Sequence, residues 1–533
     1  MTSVRLNPLD SAWLFTESRA TPNHVGGLLQ FKLPEGAPKD YMRRLMTEFR
    51  GHREFTAPWN RRLKYAFNKN PVPVWIEDTD IDLEYHVRHA ALPWPGGERE
   101  LGELVGRLQS TPLDLSRPPW ECTIIEGLEG DRFALFVKMH HSLIDGVSGM
   151  KLLQRAMSPD REKSWKLPPF WASGMPREAR SGRDHPLPTV ANAAALALDA
   201  LRGQARTVPQ LVVAFGKMLK GLGTGEGMVV PFTSPLSVLN GRVREKRRFA
   251  TQQFAMERLR NLATAADCTL NDVVLAICGG ALRRFLEERG GLPDKSLTTG
   301  IPVSVRPAGD EDGGNAITFI IATLGTDLAD ARERLAAIRA SVRHAKEHVQ
   351  SLPKQAMMQY TVLLMAPTIL TLLAGIGGRT RPMFNITISN VPGPDKPLYF
   401  RGAELVAIYP ASIVTHGQAL NITCESYAGA MNFGFTGCHA SLPSMQRLAV
   451  YAEDALAELE AAMVTKPKTP PKSRKPAQSA TAKSSKSSAK KPAAAIAGED
   501  SAAIAPKTKA SKPKAIGSPV VAKRGAPLAT RKA

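Results

Sequence analysis

The chain has 533 residues, 43% of them hydrophobic and 22% charged, with a formal net charge of +21. That length exceeds a single hydrophobic core, so two folded domains with extensions are expected, globular for most of their length. Five cysteines (Cys122, Cys268, Cys278, Cys424 and Cys438) show neither C-x-x-C nor zinc spacing, which argues against a metal site and for a reducing compartment.

The amino terminus lacks a basic-then-apolar signal segment, so the expected location is cytoplasmic. Leu6-Asn7-Pro8-Leu9-Asp10 and Trp13-Leu14-Phe15 come first. His24-Val25-Gly26-Gly27-Leu28 then opens an apolar run to Phe31 that reads as a strand, with His24 at its edge. His86 and His89 have a spacing seen in metal sites, but no third ligand lies near and the run is strand-like. A Pro-rich turn leads to Trp120, and two strands, Cys122 to Leu128 and Phe133 to Met139, are joined by a turn at Glu129-Gly130-Asp131.

The second strand runs directly into His140-His141-Ser142-Leu143-Ile144-Asp145-Gly146. A helical pattern begins near Val147, with Met150, Leu152, Leu153 and Met157 on its apolar face. Two imidazoles and a carboxylate thus stand where a strand ends and a helix starts, a place where side chains face clefts. Histidine titrates near neutral pH, so a positioned imidazole can take a proton from a hydroxyl and return it. Asp145 is also placed to cap the helix, and Gly146 to let the backbone turn.

This His-His-x-x-x-Asp-Gly pattern resembles that of the bacterial wax ester synthase/diacylglycerol acyltransferases, within the superfamily of CoA-dependent acyltransferases. The resemblance implies His141 as general base and Asp145 as a mainly structural partner; His140 is a catalytic candidate beside them and Gly146 a supporting one. The opening Pro-Leu-Asp and His-Val-Gly-Gly segments resemble family elements too. So does the turn before Trp120, although Pro119 stands where the family usually has leucine.

Residues 161-245 read as a linker, rich in proline and polar residues, with helical stretches over Val190 to Gly203 and Pro209 to Gly223. The second domain is expected over 246-465, after a first domain over 1-160. Thr269 reads as an N-cap with Asp272 in the capping-box position, heading a helix that Gly290-Gly291 ends. The family also carries an Asn-Asp pair here, which makes Asn271 and Asp272 supporting candidates, although capping alone accounts for Asp272. Pro302 to Arg306 and Gly314-Asn315 resemble another family block. Asn385-Ile386-Thr387-Ile388-Ser389-Asn390-Val391-Pro392-Gly393-Pro394 is the clearest match after the histidine pair. It reads as a strand ending in a tight turn, and Ser389 and Asn390 are the candidate donors to an oxyanion.

Between Lys354 and Arg379 no residue is charged. With Pro367 mid-run, this reads as a buried or interfacial helix pair rather than a membrane span. Beyond it, residues 466-533 hold seventeen Lys or Arg against two acids, a net +15 that leaves +6 on the rest. Such a Lys-, Pro-, Ala- and Ser-rich tail is expected to be disordered and to meet an anionic membrane or lipid-droplet surface, or nucleic acid.

The resemblance therefore implies a mixed α/β fold of two CoA-dependent acyltransferase-like domains, with the active site between them and the protein peripheral to membrane or lipid inclusions. It implies no cofactor, acyl-CoA being the co-substrate, and diacylglycerol or a long-chain alcohol as acceptor. No Gly-x-Ser-x-Gly elbow suggests an acyl-enzyme. A condensation-type transfer to another acceptor and a non-catalytic lipid- or nucleic-acid-binding protein are the alternatives.

Overall fold

The apolar run from Phe133 to Met139 forms the middle of a six-stranded sheet, in a strand that extends over Arg132–His140. Branched and aromatic side chains suit a pleated surface covered on both faces, and every residue from Phe133 to His140 is buried. This strand pairs antiparallel with His24–Lys32 on one side and with Trp120–Leu128 on the other. Val87–Ala91 completes that edge in parallel with Trp120–Leu128. The hairpin turns through Gly130 and Asp131, both in the left-handed region. The computed structural model describes residues 3–6, 8–66, 70–174, 229–304, 317–351 and 354–464. The two helical stretches within 190–223, Val305-Arg306, the Gly314-Asn315 pair and the basic tail lie outside them.

The other edge of this sheet comes from far along the chain. Ala403–Ala411 pairs antiparallel with His24–Lys32, from Glu404 opposite Lys32 to Ala411 opposite Gly26, and Tyr399–Phe400 lies beyond it. Strands drawn from the 246-465 stretch thus complete the sheet of the 1-160 stretch. The sequence pattern marks the strand, but hydrophobic alternation names no partner.

A second six-stranded sheet runs in the order Ile317–Thr323, Thr298–Ser304, Ile386–Val391, Leu420–Tyr427, Ala430–Cys438 and Arg247–Ala255. Its central pairs are parallel and its outer ones antiparallel. Helix Leu270–Glu287 packs with this sheet and with helix Arg447–Val464. It is capped as the sequence predicts, Thr269 and Asp272 bonding each other reciprocally. Thirteen of its eighteen residues are buried, so it is a core helix covered nearly all round.

The two halves meet where helix Glu98–Ser110 lies against the edge strand Arg247–Ala255. Gly102 and Gly106 permit the approach: a Cβ on either would stand 2.9–3.0 Å from the carbonyl oxygens of Phe249 and Arg247. The buried Arg247 guanidinium then donates to the carbonyl oxygens of Ala20 and Val414, one from each half.

Two expectations are corrected. Part of the 161-245 stretch is core: Phe170 and Trp171 are buried among Trp59 and Trp120, with the Trp120 and Trp171 rings stacked 5.8 Å apart. The uncharged run is one helix, Lys354–Leu373, with Pro367 inside it on the exposed side, instead of a helix pair. No single helix among the described residues is long and apolar enough to cross a membrane. Truncating a buried tryptophan typically costs about 3–5 kcal/mol. Trp171→Ala should therefore lower the midpoint of chemical denaturation strongly, whereas a spacer role would leave it unmoved.

Candidate active site

The buried strand Arg132–His140 stops being a strand at one residue. The His141 amide donates to the Asn23 carbonyl at 2.9 Å, and the Leu143 amide turns back to the His140 carbonyl at 2.9 Å. The chain then enters helix Gly146–Gln154, capped by Asp145. One Asp145 carboxylate oxygen accepts from the Ser148 amide at 2.9 Å and the other from the Ser148 hydroxyl at 2.8 Å. A carboxylate at a helix amino terminus is favoured by both the free amides and the helix dipole. The sequence reading of Asp145 as a cap is met, and its charge acts on the His141 ring.

The two histidines have opposite surroundings. His140 is fully buried. Its Nδ1 accepts from the Ser142 amide at 3.2 Å and the Ser142 hydroxyl at 2.6 Å, and its Nε2 faces Glu17 at 3.4 Å. Both ring nitrogens are occupied, which leaves His140 nothing to offer a substrate. His141 instead lies tilted against Trp13, with ring centroids 4.4 Å apart, and lines a cavity. Surrounding protein, more than any other cause, holds its pKa below the usual histidine value; Asp145 opposes that shift and His140 adds to it. The imidazole is therefore neutral at physiological pH, the form that accepts a proton.

The cavity holds about 350 Å³ and takes its walls from both halves. Trp13, His141 and Met150 come from the first; Phe319, Ile369 and Leu372 are among the apolar residues of the second. Gly146 also lines it, but its backbone is not left-handed and a Cβ there would meet nothing within 4 Å. The sharp turn assigned to Gly146 is thus not its contribution; it leaves open space beside His141.

Of the other candidates, Ser389 lines the cavity with Thr387 and Val391, while Asn390, on the alternate face of the same strand, does not. Asn271 and Asp272 do not line it either; Asp272 is held in its capping box. Asn385, which opens the same motif, is a buried support whose amide binds Pro235 and Asn240 and whose oxygen accepts from Thr298. Outside the cavity, His24 donates to the Gln109 carbonyl, and His86 stacks on Trp120 and donates to its carbonyl.

Sequence reasoning missed Trp13, Glu17 and Glu425 as members of this region. Asn421, Thr423 and Glu425 alternate with Leu420, Ile422 and Cys424 along one strand. Such alternation reads as a solvated face, yet this face lines the cavity.

A neutral imidazole at the wall of a cavity between two mixed sheets can accept a proton from a bound hydroxyl, which is the chemistry an acyltransferase needs. The first condensation domain of the calcium-dependent antibiotic synthetase shares the fold, at a TM-score of 0.51 and 17% identity over 87% of this chain and 97% of that one. The chain belongs to the wax ester synthase/diacylglycerol acyltransferase family: the catalytic domain matches residues 6–274 and the C-terminal domain residues 313–460. It is 45% identical to a putative diacylglycerol O-acyltransferase of Mycobacterium tuberculosis, over 86% of this chain and 98% of that protein. It is 38% identical to the O-acyltransferase WSD of Acinetobacter baylyi, over 85% and 96%. The solved wax ester synthase/diacylglycerol acyltransferase of Marinobacter aquaeolei superposes with a TM-score of 0.69 at 37% identity, covering 86% of this chain and 99% of that one.

The charge on Asp145 holds the His141 pKa up against burial. Asn at this position keeps a capping oxygen but removes the charge, so Asp145→Asn should leave the fold intact and move the acid limb of kcat/KM to lower pH. The pH–rate profile of the two proteins checks this; an unmoved limb would detach Asp145 from the titration of His141.

Proposed function

We propose that this enzyme moves a long-chain acyl group from acyl-CoA to the hydroxyl of diacylglycerol or a long-chain alcohol, forming triacylglycerol or wax ester. The observation that carries this reading is the neutral His141 at the wall of a largely apolar cavity built by both halves. Its unprotonated ring nitrogen takes the acceptor's proton as the oxygen attacks the thioester carbonyl. The tetrahedral intermediate collapses with cleavage of the carbon–sulfur bond, and the imidazolium returns the proton to the thiolate, releasing free CoA. Ser389 is the candidate donor to the oxyanion, being the member of the predicted pair that lines the cavity. His140 supports the turn through Ser142 and Glu17. The activities for which the relatives are named favour a lipid acceptor over a condensation-type one, and a base facing a cavity favours an enzyme over a binding protein.

Peripheral attachment to an anionic lipid surface fits the cavity rim. Helix Lys354–Leu373 turns Ile369 and Leu372 to the cavity but Leu370 and Leu373 to solvent, 64% and 53% exposed. Leu236, 58% exposed, belongs to a neighbouring segment in which Ser234 accepts from Arg381 and Arg242 donates to Gly375. Arg242, Arg379 and Arg381 are exposed alongside, and no acid occurs from 354 to 394. Clustered apolar side chains with basic neighbours suit the interface of an anionic membrane. The basic residues of 466–533 add to that attraction by charge, with nucleic acid as their other partner class.

General-base catalysis contributes about 10²–10⁴-fold. His141→Ala should cut acyl-CoA-dependent ester synthesis by that factor while the protein stays folded; retained synthesis would overturn the mechanism. His140→Ala should mainly lower folded yield. Leu370→Ser with Leu373→Ser should weaken co-sedimentation with anionic vesicles by about tenfold, from the apolar area withheld from the lipid. Undiminished binding would assign attachment elsewhere in the chain.

A further inference from the structure

One polar group in the cavity has no role in the mechanism above. Glu425 lies on strand Leu420–Tyr427, two and four residues beyond Thr423 and Asn421 on the same face, and it too lines the cavity. It is 1% exposed, and neither carboxyl oxygen has a hydrogen-bond partner among the described residues. Across the sheet it stands opposite Asn432, whose own oxygen accepts from Gln253 at 2.8 Å and whose amide nitrogen is also unpartnered. On the other side its neighbour is the apolar Val391. Thr423, by contrast, has its hydroxyl engaged with Ser412 at 2.7 Å.

Buried polar groups in folded proteins are nearly always paired, and one left open toward a cavity marks a place for a ligand's polar atom. Burial alone pushes the Glu425 carboxyl up to about 8, so at neutral pH it is chiefly the uncharged acid, with one O–H to donate. The partner that fits is an uncharged acceptor oxygen, such as an ester carbonyl.

We infer that Glu425 is a specificity-determining residue that donates to an ester carbonyl of a diacylglycerol whose free hydroxyl is held at His141. This rests on the reading of the cavity as the acyl-transfer site. A long-chain alcohol spends its single oxygen at His141 and presents only methylenes to Glu425, which leaves the acid unpaired. Sites built to hydrogen-bond one substrate group discriminate against an analogue lacking it for this reason. Glu425 therefore biases the enzyme toward glyceride acceptors.

The test compares kcat/KM for a diacylglycerol and a long-chain alcohol, with one acyl-CoA, in wild type, Glu425→Gln and Glu425→Met. Turnover of neither acceptor by wild type would defeat the acyl-transfer reading itself. If wild type is active, Glu425→Met should lower the diacylglycerol-to-alcohol ratio by about tenfold, equivalent to about 1.4 kcal/mol. Glu425→Gln, neutral and still a donor, should keep the ratio. Should Glu425→Met not fold, Glu425→Leu serves in its place. Equal losses on both acceptors would overturn the inference: a rise in the acyl-CoA KM would assign Glu425 to a pantetheine amide, and a fall in kcat alone to the oxyanion. An unchanged ratio in Glu425→Met or Glu425→Leu would overturn it as well.

Discussion

The chemistry of this protein depends on where one buried strand ends. From Phe133 to His140 every side chain is sealed in, and one residue later the ring of His141 meets a cavity. The backbone sets that limit: the His141 amide closes the ladder on Asn23, and the chain turns before Asp145 begins a helix. Two adjacent imidazoles are thereby given different surroundings. Ser142 and Glu17 occupy the nitrogens of His140, whereas the ring of His141 lies against Trp13 at the cavity wall and stays neutral. A shift of one residue in the Asn23 pairing would exchange them, because side chains alternate along a strand.

The walls of the cavity depend on the exchange of Ala403–Ala411 into the first sheet. After Ala411 the chain returns to the second sheet, where Ser412 bonds Thr423 and where Gly434 alone leaves room for the Pro410 carbonyl. That crossing carries the polar face of strand Leu420–Tyr427 over the apolar space near His141. A face that would be solvated in an isolated sheet becomes an enclosed lining, and an acid on it rises toward its neutral form.

Much of this was legible from local pattern. The strand-turn-helix around His140 and His141, the capping box at Thr269 and the hairpin at Gly130 each rest on residues adjacent in sequence, and each stands as read. Ser389 and Asn390 show where such reading stops: the motif named both, but the sheet turns only the first toward the cavity. Trp171 and Glu425 were not legible at all. What buries each is a segment far away in the chain, and periodicity carries no information about distant partners.

The borrowed strand also sets a timetable for synthesis. His24–Lys32 has its first neighbour once residue 140 has emerged, but its other edge stays open until residue 411 follows, roughly 270 residues later. At about 5–20 residues per second that interval lasts tens of seconds. Throughout it, a long apolar strand offers unpaired amides and carbonyls to any passing chain. The order in which the sheet is completed therefore sets how long this edge stays exposed during synthesis, whatever the stability of the finished fold.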